Sequence, residues 1–117
     1  MSVAKKVVKV INFRGLDIFK QLQYEELLLR NTTDNWLLTN IGSNIKTIVV
    51  GFSGKIPELV DVDASLRDNI QVIRRYTGGG TVFVDDNTIF PSFIMNVCMY
   101  VCMHVCMFVC MYNYTYL

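Results

Sequence analysis

The sequence predicts an α+β fold, with a mixed, mostly antiparallel sheet and two helices in one domain. Three observations predict it. The chain has 117 residues, room for a single domain and a modest core. Hydrophobic residues make up 52% of it, which excludes disorder over the whole length. Short β-branched runs, turn residues and two helical stretches follow one another as β-α-β-β-α-β-β-β, without the regular βαβ alternation of a parallel sheet.

Val7 to Phe13 (VVKVINF) is β-branched, is bounded by Arg14-Gly15, and reads as a strand. Asp17 opens a helix. Ile18, Leu22, Glu25 and Leu29 line one side of it with Leu28 beside them, and Gln21, Glu25 and Glu26 supply polar cover. Glu25-Glu26 reads as a solvated or capping pair. Asn31 to Asp34 stops the helix and turns the chain. Asn35 to Asn40 and Lys46 to Phe52 read as strands of a hairpin closed by Gly42-Ser43-Asn44. Trp36 is expected in the core.

Ser53 to Glu58 reads as a loop. Asp61 or Asp63 caps a short helix running to about Asn69, and with Asp68 these carboxylates read as caps and a solvated face rather than a metal site. Gln71 to Arg74 is a strand, and Tyr76 to Gly80 a glycine loop. Thr81 to Asp85 and Thr88 to Ile94 are strands around Asp86-Asn87, a two-residue hairpin turn. Pro91 lacks a ladder donor, so its strand is expected at an edge or with a bulge.

Lys and Arg total 11 against 10 Asp and Glu, a net charge of +1, which argues against nucleic acid as a partner held by phosphate neutralisation. All charged residues lie between Lys5 and Asp86, and all four cysteines (Cys98, Cys102, Cys106, Cys110) lie beyond them. The body therefore has no disulfide, thiolate site or cysteine nucleophile. The start MSVAKKVVKV is too polar for a secretory segment. A cytosolic, mitochondrial or plastid location is expected, not a secreted one.

From Val97 the chain reads VCMY-VCMH-VCMF-VCMY, then NYTYL. The tetranucleotide GTAT read in threes gives GTA TGT ATG TAT, which encodes Val-Cys-Met-Tyr. His104 and Phe108 are each one base from a tyrosine codon. Residues 97–117 thus read as a translated simple repeat, distinct from a body of residues 1–96. A membrane helix is disfavoured by Asn96, His104 and the lack of flanking Lys or Arg. A zinc site on one straight helix fails because Cys98 and Cys110 would stand about 18 Å apart. An amphipathic interaction helix has no polar face. The tail is expected to be sticky in water and to make no long-range contacts.

One segment carries chemistry: Arg74-Arg75-Tyr76-Thr77-Gly78-Gly79-Gly80-Thr81-Val82-Phe83. Three adjacent glycines let a backbone approach a ligand closely and adopt positive φ. Successive N–H groups in such a turn bind anionic oxygens, and an arginine fork beside them matches phosphate or carboxylate. The spacing is neither that of a Walker A loop nor G-x-G-x-x-G. On residue types alone, a structural turn and an anion cradle both remain open.

The segment resembles the glycine-loop motif of the lipoate–protein ligase family, R-R-x-[ST]-G-G-G-x-V-[FY], within the biotin/lipoate ligase superfamily. Gln21-Leu22 and Glu25-Glu26-Leu27-Leu28 are similar to that family's first helix. Thr47 to Gly51 resembles the strand before its substrate loop, and Phe93 to Asn96 a later strand. The resemblance covers about Val7 to Asn96, the N-terminal part of a catalytic domain.

It implies an ATP-dependent ligase that joins lipoate to AMP and passes the lipoyl group to a lysine of a carrier domain. Such carriers belong to 2-oxoacid dehydrogenase or glycine cleavage proteins. It also implies Mg²⁺ at the phosphates. Gly78, Gly79, Gly80 and Thr81 would line the lipoyl and adenylate pocket, Arg75 would contact the activated acyl-phosphate, and Val82 and Phe83 would wall the nucleotide end. Three positions depart from the pattern. Val84-Asp85 stands where many members have His-Asp. Phe52-Ser53-Gly54 lacks the arginine and asparagine frequent there, which leaves lipoyl, octanoyl and biotinyl groups open. No lysine follows Lys55, whereas the family's catalytic lysine comes from a later strand. The expectation is a ligase fragment inactive by itself. The alternatives are a degenerate pocket that only binds and a membrane-tethered interaction protein built on the tail.

Overall fold

The computed structural model describes residues 7–99, 102–109 and 112–113, with side chains as far as Met95. The elements are β1 (Val8–Gly15), α1 (Ile18–Asn31), β2 (Asn35–Ser43), β3 (Thr47–Val50), α2 (Ile56–Leu59), α3 (Val62–Arg67), β4 (Gln71–Arg74), β5 (Val82–Val84), β6 (Thr88–Met99), β7 (Cys102–Val109) and β8 (Tyr112–Asn113). They form two sheets rather than one. The first has the order β1-β2-β6-β7, with β8 also on β6, and the second has the order β4-β3-β5. The β1–β2 and β3–β4 pairs are parallel, and the other described pairs are antiparallel. The α+β class with a mixed, mostly antiparallel pairing therefore holds.

Helix α1 joins the two sheets. Asp17 caps it by accepting from the Phe19 N–H at 3.0 Å, and Thr32 ends it in an extended conformation. Its Ile18 and Leu22 pack with Val49 of β3, Ile73 of β4, Val84 of β5 and Phe90 of β6, with Val82 against the same cluster. Asp61 caps α3 through the Ala64 N–H at 3.0 Å, while Asp63 and Asp68 are exposed, as their reading as caps and solvated groups expected.

Neither expected hairpin forms. β2 and β3 lie in different sheets, as do β5 and β6. The segments after β2 and before β6 are sheet-to-sheet crossings that run against each other. Ser43 donates its N–H to the Asp85 carbonyl at 2.9 Å. A Cβ on Gly42, whose φ is +75°, would stand 2.8 Å from the Asp86 carbonyl oxygen. Turn residues specify a change of direction and not the strand that is met next. Here α1 needs a floor from both sheets, and the crossings supply it.

Three smaller expectations are corrected. Trp36 is half-buried, not core. It lies level with the helix end, where its Nε1–H donates to the Thr32 hydroxyl at 2.9 Å and Lys9 Nζ sits 5.2 Å from the ring centroid. Pro91 lies in an inner strand opposite Thr39 without a register shift. A proline removes a single donor, and the described β6–β7 pairing begins at the next residue, Ser92. The Ser53–Glu58 loop ends early, because α2 starts at Ile56 with a proline in its first turn.

The tail also departs from expectation. β6 runs through residue 97, and β7 pairs with it from Ser92↔Val109 to Met99↔Cys102. Valine-rich uncharged repeats favour extended backbone, and β6 offers them an edge. The side chains of Cys98, Cys102, Cys106, Cys110 and His104 lie outside the described residues. No described helix is long and apolar enough to cross a membrane.

Candidate functional site

Parallel strands β3 and β4 end side by side at Val50 and Arg74, and the Arg75 N–H continues the pairing to the Val50 carbonyl at 2.9 Å. Two turns, residues 51–54 and 77–80, stack beyond that end. Phe52 donates its N–H to the Thr77 carbonyl at 2.9 Å. Gly51 touches Gly79 so closely that a Cβ there would stand 2.2 Å from the Gly79 oxygen.

The two arginines take one turn each. Arg74 directs Nη1 at the carbonyls of Gly51 (3.2 Å), Phe52 (2.8 Å) and Gly54 (2.6 Å). Arg75 is buried. It donates from Nε and Nη2 to the Gly78 carbonyl at 3.2 and 3.0 Å, and from Nη2 to the Gly80 carbonyl at 2.8 Å. Gly79 holds φ at +114°, a region that favours glycine, and a Cβ on it would meet Arg75 Nη2 at 2.5 Å. Gly78 and Gly80 have no atom within 4 Å of where a Cβ would stand. The loop is thus gripped from beneath, with two open positions above.

Beside the loop lies a cleft of about 220 Å³. Phe19, Leu22, Gln23 and Glu26 of α1 form one wall, and Phe52, Arg74, Arg75 and Tyr76 form the other. Its lining is mainly apolar, with Arg75 shared between cleft and loop. Of the residues singled out in the sequence, Arg75 lines the cleft, while Gly78, Gly79, Gly80 and Thr81 are exposed next to it. Val82 packs on the core, and Phe83 is exposed one position further along β5. The Arg75 fork is turned toward the loop carbonyls, so its charge lies beneath the loop.

Sequence reasoning missed one feature. Glu25 is fully buried rather than solvated or capping. Its Oε1 accepts from the Ser92 hydroxyl in a short bond and from Gln21 Nε2 at 3.3 Å, and Gln21 Nε2 also donates to the Phe90 carbonyl at 3.0 Å. Glu25 Oε2 and Gln21 Oε1 have no hydrogen-bond partner among the described residues. Burial pushes the Glu25 carboxyl up to about 7, against the opposing pull of Ser92, Gln21 and the Arg75 charge. Burial pulls Arg75 down, and Glu25 partly restores it. Tyr76 is pushed up by burial and by the charges of Glu25 and Glu26. The signal was present: residues 18, 21, 22 and 25 are spaced as one helix face.

Among the described residues no three His, Cys, Asp or Glu side chains gather as a metal site. Among those residues a Mg²⁺ ion would find no cluster of three such ligands.

The family model of the lipoyl protein ligase A/B catalytic domain matches residues 17–102. The curated "Inactive lipoate--protein ligase 2" of Plasmodium falciparum is 29% identical in an alignment of length 114 that covers 76% of this chain and 29% of that protein. P. falciparum LipL1, solved in complex with lipoate, superposes with a TM-score of 0.70 at 22% identity, over 79% of this chain and 32% of that one. Lipoate-protein ligase A bound with ATP gives 0.67 at 23%, over 79% and 37%. A bi-partite lipoate protein ligase from Thermoplasma acidophilum, studied with its E2 lipoyl domain, gives 0.68 at 22%, over 80% and 38%. The chain thus spans about a third of the length of the proteins it matches.

Proposed function

Since the chain belongs to the lipoyl protein ligase A/B catalytic domain family, we propose that its cleft and glycine loop receive an acyl adenylate of the lipoyl class. One observation carries this reading. A loop with two open glycine positions is braced by a buried arginine, and that arginine also lines a cleft formed by Phe19, Leu22, Phe52 and Tyr76. The apolar walls suit an acyl tail. The exposed backbone of Gly78, Gly79, Gly80 and Thr81 suits the phosphoryl oxygens, with Val82 and Phe83 flanking the nucleotide. The structures with bound lipoate and ATP are similar in fold and support both as ligands.

Arg75 acts through position and charge. Holding the Gly78 and Gly80 carbonyls fixes the peptide planes whose N–H groups meet the ligand, and its cation lies under the place where negative charge gathers. The whole reaction would join the acyl carboxylate to the α-phosphate of ATP, release pyrophosphate, and pass the acyl group to a carrier lysine. The archaeal ligase with its lipoyl domain supports such a carrier as partner. This chain has no lysine after Lys55, and its P. falciparum relative is named inactive. Binding without transfer is therefore expected.

The test incubates the chain with ATP, Mg²⁺, lipoate and a lipoyl-carrier domain, follows carrier mass, and measures binding of a non-hydrolysable lipoyl-adenylate analogue separately. Saturable analogue binding with an unmodified carrier supports the reading. Absence of binding overturns it, and a lipoylated carrier at ordinary turnover overturns the expected inactivity.

A further inference from the structure

We propose that Arg74 is a positioning residue that locks the Gly51–Gly54 turn to the Thr77–Gly80 turn, so that the acyl wall of the cleft and the anion cradle move as one body. The proposal deepens the acyl-adenylate reading and rests on it. The Phe52 side chain does little to hold the turn at residues 51–54, since it is 66% exposed, yet its ring lines the cleft. Two backbone bonds hold it: Gly54 N–H to the Gly51 carbonyl at 3.0 Å, and Phe52 N–H to the Thr77 carbonyl at 2.9 Å. Arg74 adds contacts from one nitrogen to three carbonyls of that turn, at 2.6 to 3.2 Å.

Arg74 and its neighbour leave the same strand end, so the two guanidinium groups hold the two turns from one origin. Between the turns, Gly51 and Gly79 meet backbone to backbone. A shift of either turn is passed to the other without a side chain to absorb it. A ligand that spans both turns gains from this coupling, while a ligand that touches one does not. All three contacts come from Nη1, whose two hydrogens are shared among the carbonyls. A guanidinium is weakly hydrated and set at the end of a long planar group, whereas a lysine ammonium is a compact, strongly hydrated charge.

The test compares the chain with Arg74→Ala and Arg74→Lys in two measurements. Amide hydrogen exchange at Phe52 and Gly54 reads the lock directly. Binding of lipoyl-sulfamoyl-adenosine, lipoate and AMP reads its use. Loss of several charge-assisted bonds should speed Phe52 exchange about tenfold or more and weaken the joined ligand about tenfold, with AMP changed less than about twofold and α1 amides unchanged. Arg74→Lys should show the same pattern in smaller degree, and it serves alone if the alanine variant does not fold. Unchanged Phe52 exchange, equal losses for the joined ligand and AMP, or wild-type behaviour of Arg74→Lys would each overturn the lock. Failure of the wild-type chain to bind any of the three ligands sinks the acyl-adenylate reading instead, and Phe52 exchange still decides the role of Arg74.

Discussion

The paired turns and the inner face of α1 solve opposite problems. The turns are backbone, and their carbonyls are satisfied by two arginines that reach back to them. The inner face of α1, packed on β6, hides side-chain polarity, and Gln21 and Glu25 leave two acceptor atoms without donors among the described residues. A satisfied backbone turn is stiff and indifferent to pH, because no group in it titrates near neutrality. A buried carboxyl with an unpartnered oxygen titrates where water-exposed carboxyls do not. The turns therefore set shape, and the buried face of α1 sets the response to protons.

The hardest blow to this contrast falls on the loop side. Gly51→Ala places a methyl 2.2 Å from the Gly79 carbonyl oxygen, and backbone cannot step aside as a flexible side chain can. A loss of more than about 3 kcal/mol in unfolding free energy is expected, by denaturant titration. An unchanged midpoint would show that the two turns are not stacked as described.

The buried face of α1 responds next, to pH. Glu25 is pushed from 4.5 to about 7 in the folded chain, so the folded state holds this proton more tightly than the unfolded one. Its contribution is at its best below the unfolded value, is lost as pH rises toward 7, and leaves a deficit on the order of 3 kcal/mol above that. Glu25→Gln keeps the shape, removes the titration, and brings a donor to the place of the unpartnered oxygen. Melting curves from pH 5 to 8 should decline for the wild type relative to the variant, and the variant should be the more stable at pH 8. Taking the difference cancels groups common to both. Parallel curves would place Glu25 in a wetter site.

These two residues also mark what was legible in the sequence. The R-R-x-T-G-G-G run marked a loop between two strands, and of its residues the structure brings Arg74, Arg75 and Tyr76 into the lining of a cleft, with Gly78, Gly79 and Gly80 exposed beside it. The inner position of Glu25 could be read from its spacing with Ile18 and Leu22. Its burial could not, since carboxylates are seldom buried and its partner Ser92 lies 67 residues away. The role of Gly51 was equally hidden, because a lone glycine after a strand gives no sign of the loop that will land on it. Elements with their own caps, such as α1 behind Asp17 and α3 behind Asp61, were found near their true bounds. The hairpins failed because Gly42-Ser43-Asn44 and Asp86-Asn87 carry genuine turn chemistry, while sheet membership is decided by packing on α1.

A smaller effect separates neighbouring glycines of the loop. Gly79→Ala meets only Arg75 Nη2, the far end of a flexible side chain, but must also hold φ near +114°. Strain of about 1–2 kcal/mol is expected, together with displacement of Arg75 and weaker binding of the adenylate analogue. A wild-type melting temperature and affinity in this variant would mean that the positive φ is not required.

Gly78→Ala should be the mildest change and the sharpest control. Nothing lies within 4 Å of the added methyl, and the backbone there does not require positive φ, so stability should stay within about 0.5 kcal/mol of wild type. If the open space above Gly78 is where phosphoryl oxygens approach the backbone, the same methyl should obstruct a ligand that it does not obstruct in the free protein. Unfolding should then be unchanged while affinity for the lipoyl-adenylate analogue falls several-fold. A variant that folds and binds like wild type would remove Gly78 from the cradle, and one that unfolds would show that the loop is packed where it is described as open.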